Sequence, residues 1–220
     1  ADYCQHMSDL TVDEVLTTTR SVRLRLDLTR PVPLELVKEC LRIALQAPSG
    51  SNTQGWRWIV VTDPDLRAAV GEVYRRACER YLKSEKAVGK LFADDVARSE
   101  IQQRVHRSTV HLAERMGQVP VQVIGCLELP SPELPAGNQA GLWGSLLPAA
   151  WSYMLAARAR GLGTAWTTLH LMYEEEVARL LGLPGNVRQG VLIPTAYYTG
   201  TDFKPAPRQA LEEVLHLNGW

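Results

Sequence analysis

The sequence predicts an α+β domain. Apolar residues recur at helical spacing in several separated segments, and three β-branched or aromatic runs, 56–61, 121–129 and 189–198, read as strands. The two kinds are mixed without the regular strand–helix–strand beat of a doubly wound fold, and no internal repeat occurs. A chain of 220 residues folded as one domain buries roughly 70% of its unfolded surface, so neither disulfides nor a structural metal is needed.

Met7-Ser8-Asp9 reads like a natural start, so the domain is expected over 8–220, with 1–7 lying outside it. Ser8 or Asp9 is placed to cap a helix through Leu16, and Thr11 and Glu14 have the spacing of a capping box; 17–20 follows as a polar loop. Pro33 suits a first helical position, and Leu34, Val37, Leu41, Ala44 and Leu45 keep helical spacing until Pro48. The stretch 49–55 holds turn formers and no apolar side chain. After the strand at 56–61, Asp63-Pro64 is a cap followed by a proline at the first helical position. Leu66, Ala69, Val70, Val73, Ala77 and Tyr81 share one face of the helix that follows, and weaker helical patterning continues to Met116.

After the strand at 121–129 comes a proline- and glycine-punctuated loop, then a segment, 142–160, that is apolar on nearly every side and so marks a buried central helix. Pro148 either kinks it or marks its true start. Gly161 and Gly163 stop it, and 164–169 is strand-like. A short helix over 174–181 closes at Gly182, with Pro184 beyond, and the strand at 189–198 leads into a tail that alternates in hydropathy over 214–220.

Lys and Arg number 24, as do Asp and Glu, giving zero net charge. That balance argues against nucleic acid or a membrane surface as partner. With no apolar run long enough to span a bilayer and no basic-then-apolar leader, the chain is expected to be soluble and cytoplasmic. The zero is a cancellation: 67–115 holds eleven basic and seven acidic residues, net +4, and the remainder is net −4. Cys4, Cys40, Cys78 and Cys126 form no Cys-x-x-Cys pair, and His106 and His111 lie off the spacing of a helical metal site, so no metal is expected.

Phosphate-loop, nucleophile-elbow and His-Glu-x-x-His motifs are absent, and Gly161-x-Gly163 follows a helix, the reverse of a dinucleotide-binding turn. Three polar segments remain. Arg20-Ser21-x-Arg23 offers two guanidiniums and a hydroxyl suited to a phosphate, although alone it is a solvated surface as readily as a site. The stretch from Pro48 through Ser49, Gly50, Ser51 and Asn52 to Gln54 offers hydroxyl and amide donors on backbone that glycine lets approach a ligand. Lys204 and Arg208 add a basic element in the tail.

In this order, with RSVR, APSGSNTQGW, LAARARGLGTAW and a basic stretch before LEEVL, the chain from Thr17 to Leu215 resembles the FMN-dependent nitroreductase family. The resemblance implies a mostly antiparallel central sheet flanked by helices, in an intertwined homodimer with FMN at the subunit interface. It assigns Arg20 and Ser21, completed by Arg208 and Lys204, to the FMN phosphate, and Arg23 to the pyrimidine edge of the flavin. Pro48, Ser49, Gly50 and Asn52 would reach the flavin from the second subunit. Trp166, Thr167 and Thr168 would underlie the ring, with a backbone N–H at its N5. Departures are Thr19 where many relatives have Arg, Gly55 before Trp56 in place of proline, Ser152 in place of an amide, and Thr168 where some relatives carry Glu.

The implied activity is hydride transfer from NAD(P)H through FMN to a nitroaromatic, quinone or similar small acceptor in ping-pong fashion. Arg23 would stabilise the charge of the reduced ring, and no side chain would act as general acid or base. The segment 67–118 is expected to form a lid, with Arg75, Arg76, Arg80, Lys83, Arg104 and Arg107 either meeting NADPH phosphates or forming a solvated face. Alternatives are a specialised branch (flavin breakdown, dehalogenation or deazaflavin-linked chemistry), a non-catalytic flavin-binding protein, and a helical adaptor whose basic segment binds an acidic partner.

Overall fold

The computed structural model describes residues 10–201 and 203–220; Cys4, Met7, Ser8 and Asp9 lie outside the described residues. Helix α1, Val12–Thr18, opens on a full capping box: the Glu14 N–H donates to Thr11 Oγ1 at 3.3 Å and the Thr11 N–H to Glu14 Oε2 at 2.7 Å. It runs past Leu16 into the expected loop, and there the Thr17 and Thr18 hydroxyls donate back to the Asp13 and Glu14 carbonyls at 2.6 and 2.5 Å. Helix α2, Leu34–Ala44, buries Leu36, Val37, Cys40 and Ala44, and Pro33 is its cap residue, outside the first turn.

Strand β1, Trp56–Val61, precedes α3, Pro64–Lys83, which begins where Asp63 Oδ1 accepts from the N–H groups of Asp65 and Leu66 at 3.0 and 2.9 Å. The helical pattern is then broken between Lys83 and α4, Val96–Arg115, which Asp95 caps. Strand β2 is Val121–Glu128, α5 Ala140–Trp143 and α6 Leu147–Arg158; Pro148 sits in the first turn of α6 and marks its start. Strand β3 covers only Leu162–Thr164, α7 Glu174–Leu181 closes on left-handed Gly182, and β4 is Val187–Tyr197. Thr164 pairs with Thr195, so the next pair is Ala165 with Pro194, which has no N–H to return. The expected strand at 164–169 therefore stops early, regains one bridge at Thr167 and Leu192, and passes into the 3₁₀ turn Leu169–Tyr173. The alternating tail contains no strand among its described residues, only the 3₁₀ turn Leu211–Glu213.

The sheet is antiparallel, in the order β1-β2-β4-β3. Its two inner strands are buried on both faces along most of their length, which is why they read as largely apolar runs. Val121, Val123, Val191 and Ile193 pack with α2 and α6; Ile124, Cys126, Leu192 and Ala196 face α3 and α4. Each such side chain, fully buried, contributes roughly 1.5–3 kcal/mol. The one amide in the β2 run, Gln122, is buried and donates to the Met116 and Arg67 carbonyls at 2.9 and 3.1 Å, tying the sheet to the α4–β2 turn. Cys40, Cys78 and Cys126 are free and buried, and burial pushes the Cys40 and Cys126 thiols up to about 12, so neither forms a ready nucleophile. Among the described residues no helix is long and apolar enough to cross a membrane.

The segment 67–118 divides in two. Val70, Val73, Tyr74, Ala77 and Cys78 of α3, and Thr109, Leu112 and Ala113 at the end of α4, belong to the core, whereas the turns and first half of α4 between them are mostly exposed. Arg75 is ion-paired with Glu72 and Glu79, and Arg76 with Glu176 at 2.5 Å while lying over the Tyr173 ring. Two of the cations expected to meet phosphates thus already have carboxylate partners.

Gly71 of α3 is where that helix crosses the α4–β2 turn: a Cβ there would lie 2.4 Å from the Gly117 nitrogen and 2.6 Å from its Cα. Both obstacles are backbone. Gly71→Ala is expected to destabilise the fold by about 3 kcal/mol, read as a lowered urea midpoint, although alanine is the better helix former.

Candidate functional site

Residues 20–28 leave α1 and run beside the sheet edge that β3 would otherwise expose. The Val22 N–H donates to the Thr164 carbonyl at 2.7 Å, Ser21 forms a parallel bridge with Thr164, and the Trp166 N–H donates to Ser21 Oγ at 3.3 Å. Further along, the Asp27 N–H donates to the Tyr197 carbonyl at 2.7 Å. Val22 and Leu26 are buried, and between them Arg23 is half-buried while Leu24 is exposed.

The tail arrives from the other side. Arg25 donates to the Thr199 carbonyl at 2.6 Å, and its guanidinium lies 4.2 Å from the centre of the Phe203 ring. Arg158, buried at the end of α6, lies 4.9 Å from the same ring and donates to the hydroxyls of Tyr198 and Thr18 at 2.7 and 3.4 Å. Phe203 is thereby gripped by two guanidiniums, which sets Lys204 beside Arg20: Arg20 Nη1 donates to the Lys204 carbonyl at 3.1 Å. The result is a cavity of about 450 Å³ whose wall includes Arg20, Ser21, Arg23, Lys204 and, from α4, Ser108. Arg208 is not on this wall; it lines a separate cavity of about 530 Å³ with Phe92, Arg98 and Gln102.

Arg20, Arg23 and Lys204 have no carboxylate partner among the described residues. Arg23 is half-buried, and desolvation holds its guanidinium below the ordinary arginine value, only partly offset by Tyr74. A desolvated cation without a counter-charge is costly in the empty protein and attractive to an anion. Ser21 Oγ accepts from Trp166 and so keeps its own proton to donate. The donor set suits a phosphate joined to a ring that takes up negative charge, and adds Ser108, which the sequence carried no sign of.

Beyond Ser21, Thr167 is buried: its hydroxyl donates to the Leu192 carbonyl at 2.7 Å, and its backbone exchanges bonds with the same residue at 3.1 and 2.9 Å. Trp166 is half-buried against α2 and α6, and Thr168 is exposed, its N–H without an acceptor among the described residues. His170, two residues on, is fully buried with neither ring nitrogen partnered; burial lowers it to about 4 against the pull of Glu174.

The loop after α2 lies apart from this cavity. Ser51, Asn52 and Gln54 have φ of 50, 53 and 50°, left-handed backbone that costs non-glycine residues on the order of 1 kcal/mol each. The loop is held by the Gly50 N–H donating to Ser145 Oγ at 2.9 Å, the Gln54 N–H to Ser49 Oγ at 3.1 Å, and Gln54 Nε2 to Asn52 Oδ1 at 3.0 Å. Pro48 and Asn52 remain exposed, so the loop presents a rigid rim away from its own chain's basic cavity.

Residues 16–197 match the model of the nitroreductase family. Iodotyrosine deiodinase 1 of Rattus norvegicus is 25% identical over 205 residues, 92% of this chain and 67% of that protein. A putative NADH dehydrogenase/NAD(P)H nitroreductase of Methanothermobacter thermautotrophicus is 25% identical over 218 residues, 97% of this chain and 90% of its own. The solved structure of an oxidised iodotyrosine deiodinase bound to FMN and 3-iodo-L-tyrosine superposes with a TM-score of 0.71 at 22% identity, covering 96% of this chain and 100% of that one.

Arg23→Met, which keeps the stem and removes the charge, is expected to raise the melting temperature of the cofactor-free protein by a few degrees while weakening FMN binding at least tenfold, measured by fluorescence titration. His170 sets the acid limb. The unfolded histidine takes up a proton near pH 6.5, the folded one only near 4, so unfolding free energy should fall by roughly 3 kcal/mol as pH drops through that window and level off below it. Urea titrations at pH 7 and 4.5 should show this slope, and His170→Leu should flatten it.

Proposed function

The chain belongs to the nitroreductase family, and on that premise we propose that it is an FMN-dependent oxidoreductase that takes hydride from NAD(P)H and passes electrons to a small organic acceptor. The observation that carries the proposal is the convergence of Arg20, Arg23 and Lys204, without carboxylates, on one cavity beside the buried Thr164–Thr167 ledge.

Arg20, Ser21 and Lys204 hold the phosphate, two by charge-assisted bonds and Ser21 through its free hydroxyl proton. Arg23, already stripped of water, stands at the pyrimidine edge, where a fixed cation lowers the energy of added negative charge. Trp166 and Thr167 would form the floor under the ring, and Thr168, whose N–H has no acceptor among the described residues, would offer it a backbone donor. FMN, when bound, supplies two-electron transfer between a nicotinamide and an organic acceptor. No residue of the chain is asked for general acid or base catalysis.

In this reading the protein is a homodimer, and Pro48, Ser49, Gly50 and Asn52 contribute to the site of the second copy; their strained, braced loop on the far side from the basic cavity supports it. Arg208 completes the phosphate site only if the tail shifts from its present groove. The exposed turns and first half of α4, between Lys83 and Ser108, cover the ring's open face.

A second reading, reductive dehalogenation of an aromatic substrate, is favoured by the similarity to iodotyrosine deiodinase 1 over 92% of the chain. Purified protein should be yellow, and anaerobic NADPH should bleach it. Nitroaromatic or quinone should restore the colour under the first reading; under the second, a halophenol should do so with release of halide. Protein that neither carries nor takes up FMN would refute both. Arg20→Ala combined with Lys204→Ala should weaken FMN retention by one to two orders of magnitude.

A further inference from the structure

We propose that the groove between the first half of α4 and the tail, next to the cofactor cavity, is a second ligand site, which takes the adenosine phosphate part of a dinucleotide. The inference rests on the flavin oxidoreductase reading given above.

The two cavities share their walls. Ser108 of α4 and Phe203 and Lys204 of the tail line the cofactor cavity; Arg98, Ile101 and Gln102 of α4 and Arg208 and Glu213 of the tail line the other, of about 530 Å³. Along α4 the chain passes from the second cavity to the first, and along the tail from the first to the second. The pair are therefore successive stretches of one groove whose walls run in opposite directions. Ile101 and Ser108 share a face of α4, and the helix carries Arg98 about 15 Å from Ser108 at its ordinary rise per residue. A ligand that fills both stretches is long and jointed.

The second stretch has the chemistry of a nucleotide site. The Arg98 guanidinium lies 3.4 Å from the centre of the Phe92 ring, a flat cation–ring pair on which a base can stack. Neither Arg98 nor Arg208 has a carboxylate partner among the described residues, so their two charges are available to a phosphate. Glu213, on the same wall, makes a bare anion a poor occupant but accepts from ribose hydroxyls or an adenine amino group, and Gln102 offers an amide to the base edge. Phe92 has a φ of 58°, left-handed backbone that a bulky residue rarely adopts. The Asp95 N–H holds it by donating to the Phe92 carbonyl at 3.1 Å, while Asp95 Oδ1 accepts from the Arg98 N–H at 3.0 Å. One turn thus starts α4, holds the ring and sets Arg98 over it.

Two dinucleotides carry this part, the nicotinamide co-substrate and a flavin extended beyond its phosphate, and the test separates them. AMP is titrated by calorimetry into FMN-loaded protein and into the variant Arg98→Ala, which removes an exposed side chain outside the cofactor cavity. AMP should bind, inorganic phosphate roughly tenfold more weakly, and Arg98→Ala should weaken AMP about tenfold while changing FMN affinity less than about twofold. If the co-substrate is the source, AMP should compete with NADPH in stopped-flow bleaching, and Arg98→Ala should raise the half-saturating NADPH concentration without changing the limiting rate. If the flavin is, cofactor-free protein should bind FAD roughly fivefold more tightly than FMN, and Arg98→Ala should erase the preference. The inference is overturned, with the flavin reading intact, by no AMP binding, by AMP affinity that Arg98→Ala leaves unmoved, or by phosphate that binds as tightly as AMP. AMP binding with neither the competition nor the FAD preference overturns it too. Protein that takes up neither FMN nor FAD removes the flavin reading and the inference with it.

Discussion

The joint between residues 21–22 and Thr164 is the interaction on which the site depends. Strand β3 is three residues long and lies at the edge of the sheet, where its outer N–H and C=O groups would be left to water or to another chain. The segment after α1 covers that edge, with Val22 donating to Thr164 and Ser21 receiving the Trp166 N–H. Covering an edge and assembling the candidate site are here the same act. The bonds that satisfy β3 also set the guanidiniums of Arg20 and Arg23 beside the 166–168 ledge.

Charge is distributed to the same end. Several cations elsewhere are matched by carboxylates: Arg75 and Arg76 on α3, Arg188 with Glu174, Arg57 with Glu128. Around the basic cavity they are not, and Arg23 bears a desolvation cost that no carboxylate among the described residues offsets. The two arginines gripping Phe203 do different work from these. Arg25 and Arg158 use flat guanidinium faces against a ring and their edges against carbonyl and hydroxyl oxygens, anchoring the tail so that Lys204 arrives where it is needed. A net charge of zero thus coexists with a strongly basic spot, because the compensating carboxylates stand elsewhere.

Much of the fold was legible because it is local. The strand at 56–61, the Asp63-Pro64 start, the Gly182 stop and the Thr11–Glu14 box each rest on residues within a turn of one another, and the structure has them there. Illegible features depended on distant partners. The loop expected at 17–20 begins as helix, two of its threonines bonded back into it, and the strand expected at 164–169 is cut short by Pro194, a residue some thirty positions away. Arg75 pairs within its own helix with Glu72 and Glu79, but the carboxylate that holds Arg76 is Glu176, one hundred residues beyond it. Ser108 sits in a helix with no motif around it, and only the packing of α4 brings it to the cavity.

By itself the sequence determined the class of fold and most element boundaries, which follow from periodicity, capping and turn chemistry within short windows; side chains for a phosphate and a flat ring were implied by the resemblance of its motifs to a family. It named the cations of the basic segments without saying which were free. Only the tertiary structure decided that Lys204 joins Arg20 while Arg208 lines another groove, that α3 is a core helix carrying paired arginines, and that Arg23 is left desolvated and unpaired. The reason is physical: whether a charge is free depends on what lies within a few ångströms of it, and in this chain those neighbours come from the far ends of the sequence.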